Sequence, residues 1–146
     1  MRRGFVTNEM FLFSVLALSV IAVAVFGFMQ ARVYSRDNAR ISDLKQIAHA
    51  LALYLDAQGS YPSGCEWSTD ACWKDLLQDH IRMPLDPINR GGSDCATSPG
   101  CFVYRYCRLG EGRFVVSANL EKPKKRPVGN NPSCPLGGPN QHWVTN

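Results

Sequence analysis

The chain of 146 residues has no charge from Met10 to Met29, no proline from Phe5 to Gln58 and no cysteine before Cys65. Charged residues amount to only 19%, below the usual share of about 25%, which excludes a disordered chain held open by charge. The net charge of +4, 16 basic against 12 acidic residues, is too mild to announce nucleic-acid binding. No Cys-x-x-Cys occurs, and His49, His80 and His142 do not cluster with thiols, so no zinc site is indicated. No local motif gathers Cys/His or Ser/His/Asp residues, so the composition offers no enzyme and no cofactor. Internal repeats are absent too, and the length excludes a multi-domain enzyme.

What is present is unevenly placed. Met10–Met29 is a run of 20 residues in which Ser14 and Ser19 are the only polar side chains; as a helix it is about 30 Å long, enough to cross a bilayer. Beyond it the pattern turns amphipathic. Ile41, Leu44, Ile47, Ala48, Leu51, Tyr54 and Leu55 recur at three- and four-residue steps, with Arg40, Asp43, Lys45, Gln46, His49 and Asp56 assigned to the other face. Gly59 supplies a stop. One continuous helix of about 50 residues is expected, its second half docked on a globular body.

That body, 60–146, reads as α+β. A short helix is expected over 70–81, capped by Asp70, with Trp73, Leu76, Leu77 and Ile81 on one face. Two strands follow, in which Phe102, Tyr104 and Tyr106 alternate with Val103, Arg105 and Cys107, and Phe114, Val116, Ala118 and Leu120 with Val115, Ser117 and Asn119. Leu109-Gly110-Glu111-Gly112 is the hairpin turn between them. The segment from Lys122 to Gln141 holds five prolines and is expected to be loop, with Gln141–Val144 a last short strand. Tyr104, Tyr106, Trp67, Trp73 and Trp143 are expected in the core, and the run Glu121-Lys122-Pro123-Lys124-Lys125-Arg126, basic apart from its first residue, as a solvated loop. Cys65, Cys72, Cys95, Cys101, Cys107 and Cys134 all lie in this body, an even number in a small Gly/Pro-rich region. They indicate disulfides in an oxidising compartment, with fifteen pairings open. Oxygen ligands at Asp86, Asn89 and Asp94 do not amount to a calcium loop.

The head of the chain is the most informative part. Arg2-Arg3-Gly4-Phe5 places a small residue before a bulky one, and Glu9 stands immediately before the apolar run. A carboxylate there is disfavoured by the membrane; if the chain were cut after Gly4, Glu9 would lie one helical turn from a new amine on Phe5. Arg2, Arg3, Gly4, Phe5, Thr7 and Glu9, running into Met10–Met29, resemble the leader of the type IV pilin and type II secretion pseudopilin family. The stretch from Asp43 to Tyr54 followed by Gly59-Ser60-Tyr61-Pro62 is similar to the helix end of such proteins, and Pro84–Asn89 with the paired aromatic strands more loosely so. The calcium loop of the major pseudopilin is not recognisable in 119–127.

The resemblance implies a pilin-like α+β fold divided into a leader (1–4), an assembly and transmembrane half-helix (5–29), an amphipathic half-helix (30–59) and a disulfide-stabilised head (60–146). It implies cleavage between Gly4 and Phe5 by a prepilin peptidase and N-methylation of Phe5. The subunit would wait in the inner membrane, its head outside the cytoplasm, until an inner-membrane assembly platform extracts it into a periplasmic or cell-surface filament. There Glu9 would neutralise the Phe5 amine of a neighbouring subunit. Its partners would be further subunits and membrane lipid, with no nucleic acid, metal or cofactor. The alternative is a signal-anchored single-pass protein presenting a disulfide-bonded binding module. The count of cations opposes an extracytoplasmic head: Arg2 and Arg3 precede the apolar run, while Arg32, Arg36, Arg40 and Lys45 follow it. The six cysteines favour it.

Overall fold

The computed structural model describes residues 3–79, 81–90, 95, 100–110, 112–122 and 140–146, with side chains from Glu9 onward. Helix α1 runs Arg3–Gln58 without a break, 56 residues, as the absence of proline allows. It ends where Gly59 takes a positive φ of 72° and donates its N–H to the Leu55 carbonyl at 2.8 Å, the left-handed stop that glycine adopts without steric cost. The chain divides into two compact units, Met1–Ser35 and Arg36–Asn146.

Within the second unit, the helix packs on an antiparallel sheet of three strands in the order β1 (Tyr104–Arg108), β2 (Phe114–Asn119), β3 (Gln141–Thr145). Tyr106 stands opposite Val116, and Ser117 opposite Trp143. The β1–β2 turn is closed by the Leu109 N–H donating to the Arg113 carbonyl at 2.9 Å, with Gly110 and Gly112 both at positive φ. That conformation is why the expected turn needs its glycines. Leu44, Ile47 and Leu51 of α1 join Tyr104, Tyr106, Phe114, Val116 and Ala118 of the sheet in one buried cluster. Each such aliphatic side chain contributes about 1.5–3 kcal/mol on burial. Both tyrosine hydroxyls are satisfied: Tyr106 donates to the Pro62 carbonyl at 2.9 Å, and Tyr104 to the Asp43 carboxylate at 2.5 Å, tying sheet to helix.

Three expectations need correction. The helix expected over 70–81 is a 3-10 turn of four residues, Ala71–Lys74. Asp70 does not cap it with its side chain; the carboxylate accepts the N–H groups of Glu66 and Trp67 instead. The expected apolar face is present: Trp73 and Leu77 are buried, and Leu76 and Ile81 pack against the core. The first strand starts at Tyr104, with Phe102 held in an isolated bridge to Arg90. Finally, β2 is buried along its whole length, because Val115 packs with Trp143 on the second face and Asn119 donates to the Cys101 carbonyl at 2.9 Å.

Candidate functional site

Gly4, Phe5 and Glu9 all lie in the first turns of α1, which places Phe5 and Glu9 one turn apart along the chain. From Met10 the helix displays apolar side chains on every side. Phe13 is 71% exposed and Val23 73%, and none of the apolar window is buried. A surface of this extent is foreign to a soluble monomer, and the stretch is long and apolar enough to cross a membrane. Its two polar side chains are spent internally: the Ser14 hydroxyl donates to the Met10 carbonyl at 2.8 Å and that of Ser19 to the Leu16 carbonyl at 2.7 Å. Neither is left unsatisfied in an apolar medium. The first cation after the run, Arg32, lays its guanidinium over the Phe28 ring at 4.5 Å.

The second unit contains a charge cluster that the reading of the sequence missed. Arg40, assigned to the solvated face, is fully buried. Its Nε and one terminal nitrogen donate to the two oxygens of Asp86 at 2.7 and 3.1 Å, and the other nitrogen to Asp37 at 2.8 Å and Glu121 at 2.9 Å. The guanidinium also sits 4.6 Å from the centre of the Phe102 ring. Arg36 donates two bonds to Glu121. Asp37, itself fully buried, accepts the backbone N–H groups of Glu121 and Lys122 at 2.9 and 3.1 Å. Asp86 accepts those of Ile88 and Asn89 at 2.8 and 3.3 Å. Two guanidinia thus hold three carboxylates, and the backbone supplies further donors, the condition under which buried charge is tolerated.

The titration behaviour follows from these contacts. Hydrogen bonding from Arg36, and then from Arg40, holds the Glu121 carboxyl below its usual range against the opposing effect of burial. Burial alone would lower Arg40, yet its bonds to Asp86 and Glu121 outweigh that and its value is raised. Asp43 is pushed up by burial despite the Tyr104 bond, and burial is also the main cause that raises the Tyr104 hydroxyl. A signal for the cluster was present. Asp37, Arg40, Leu44, Ile47 and Leu51 follow one another by three or four residues, so both charges belong to the buried stripe.

Cys65 pairs with Cys72 and Cys95 with Cys101; Cys107 is also disulfide-bonded, and Cys134 lies outside the described residues. The first bridge anchors the 3-10 turn whose Trp73 is fully buried and donates its indole N–H to the Pro84 carbonyl at 3.0 Å. Asp86 is committed to Arg40; Asp94, His80, Glu111 and the basic run from Pro123 to Arg126 lie outside the described residues. Of the aromatics expected inside, Trp73, Tyr104, Tyr106 and Trp143 are buried, while Trp67 is half-buried beneath the Arg105 guanidinium at 4.5 Å. Compared with family models, with curated proteins and with solved structures, the chain finds no match in any of the three.

Proposed function

We propose that the protein is a structural subunit, a pilin or pseudopilin, of a type IV pilus-like or type II secretion filament, assembled through α1 and not an enzyme. The observation that carries this reading is the apolar surface of α1, exposed all round from Met10 and headed by Gly4, Phe5 and Glu9. Such a surface needs lipid or neighbouring helices to cover it. A filament built by bundling these helices replaces one apolar environment by the other, so leaving the bilayer does not expose the run to water. Hydrolysis of the Gly4–Phe5 peptide bond by a prepilin peptidase removes Arg2 and Arg3 and leaves an amine on Phe5, which is then N-methylated. In the bundled core Glu9 supplies that amine's countercharge on a neighbouring subunit, since buried charges persist when paired. A head-to-tail contact of this kind does not close on itself and so propagates.

The disulfides support a head outside the cytoplasm. Two of the four cations that argue otherwise, Arg36 and Arg40, are committed to carboxylates within the folded head. N-terminal sequencing and intact mass of the membrane-purified protein, made alongside a prepilin peptidase, test the reading. Phe5 as the first residue, carrying an N-methyl group, is expected. An N-terminus near residue 31 would assign the run to ordinary signal-peptidase processing, and an uncut Met1 would leave a plain signal anchor.

A further inference from the structure

The Cys65–Cys72 bridge is built asymmetrically. Cys65 is buried at 2% exposure while Cys72 is exposed at the start of the 3-10 turn. An oxygen of the half-buried Asp70 carboxylate lies within 4.8 Å of both sulfur atoms. That carboxylate is fixed in place: Oδ2 accepts the N–H of Glu66 at 3.2 Å and of Trp67 at 2.9 Å. It therefore does not cap the turn it precedes. A side chain diverted from capping to hold a negative charge beside a disulfide has a chemical consequence.

We infer that Asp70 is an electrostatic guard of the Cys65–Cys72 disulfide, placed to slow its reduction by anionic thiols. A small thiol reduces a disulfide as its thiolate. Here the thiolate attacks Sγ of the accessible Cys72, a new S–S bond forms between them, and the Cys65–Cys72 bond breaks. Its electron pair goes to Sγ of Cys65, which leaves as a thiolate and takes a proton from water. A second thiolate then displaces Cys72 and carries away the small-molecule disulfide. Asp70 opposes the first exchange twice: it repels an incoming anion, and it destabilises the negative charge that develops on the Cys65 sulfur. Reduction would free the loop that seats Trp73 in the core, so the guard protects a packing element and not only a crosslink. Cys95–Cys101 has both sulfurs in buried residues and needs no such protection from its surroundings.

The test is the reduction rate of Cys65–Cys72 in the purified full-length protein in neutral detergent. Trapping by alkylation and peptide mass analysis follow the bridge, and rates are normalised to thiolate concentration. Three reagents are compared whose attacking thiolates differ in net charge: glutathione (doubly negative), 2-mercaptoethanol (singly negative) and cysteamine (net neutral, its ammonium balancing the thiolate). Unit charges within 4.8 Å of each other would change a rate by about fourfold or more at the dielectric of water, so Asp70→Asn should speed glutathione by about threefold or more. The same substitution should speed cysteamine least, because its ammonium offsets the charge of its thiolate, and thereby narrow the spread among the three. Asparagine keeps an oxygen to accept the Glu66 and Trp67 N–H groups, so the loop is retained. Glu66→Gln removes a carboxylate that is 57% exposed and paired with Arg105 at 3.5 Å, and should change the spread less. Equal acceleration of all three thiols by Asp70→Asn would mean a loosened loop, and no change would mean an idle charge. Either result overturns the inference.

Discussion

Replacing Arg40 by methionine removes the charge at the centre of the cluster while keeping an unbranched stem of similar reach. Four hydrogen bonds disappear, two to Asp86 and one each to Asp37 and Glu121. Glu121 keeps Arg36, but Asp37 and Asp86, both fully desolvated at the side chain, lose their Arg40 guanidinium and keep the backbone donors of Glu121, Lys122, Ile88 and Asn89. Stranding a buried charge in this way costs about 3–5 kcal/mol. With a urea dependence of about 2 kcal/mol per molar, the unfolding midpoint of the head should fall by roughly 1.5–2.5 M. Fluorescence of the buried Trp73 and Trp143 reports the transition in the detergent-solubilised chain. The double substitution Arg40→Met with Asp86→Asn should recover part of the loss, because one stranded charge is then gone. For comparison, Glu66→Gln at the exposed Arg105 pair should cost less than about 1 kcal/mol. A loss below about 1 kcal/mol for Arg40→Met would show that water reaches the cluster and that the burial argument fails.

The remaining predictions concern acid and redox behaviour. Glu121 is held below its ordinary value of 4.5, so its stabilisation is fully present above that pH and is lost as pH falls through the lower folded-state value. Asp43 is raised and has the opposite sign: it is a cost at neutral pH that acid relieves. Glu121→Gln should therefore flatten the acid limb of the stability profile below about pH 4.5 in urea titrations, and an unchanged limb would deny the Arg36–Glu121 contact its role. Non-reducing peptide mapping should return Cys65–Cys72 and Cys95–Cys101 and join Cys107 to the remaining cysteine, Cys134. Alkylation before reduction should label no thiol, whereas six labelled cysteines would place the head in the cytoplasm.

Features set by local chemistry are legible in the sequence. The absence of proline from Phe5 to Gln58 marks α1, Gly59 its end, and Gly110 and Gly112 the hairpin, since each depends on residues a few positions apart. The face carrying Trp73 and Leu77 was legible for the same reason. The segment 70–81 forms only the 3-10 turn Ala71–Lys74, and the Asp70 side chain, expected as its cap, is bonded back to Glu66 and Trp67. Arg40 is, by residue type alone, expected in solvent. Its burial depends on Asp86 and Glu121, 46 and 81 positions away, a compensation that only the tertiary fold supplies. Ser117 and Asn119 alternate in sequence with the apolar face of β2, and both are covered because both faces of the central strand are buried.

The central claim is that α1 assembles subunits through a charge at its head. Its most direct test is filament yield from Glu9→Gln by electron microscopy, with the level of cleaved subunit in the membrane measured in parallel. Cleavage after Gly4 and membrane level should be unchanged. Filaments should be lost or sharply reduced, because a buried Phe5 amine without its countercharge costs about 3–5 kcal/mol per contact. Normal filaments from the Glu9→Gln subunit would contradict the pairing and return Glu9 to a hydrated charge at the membrane surface.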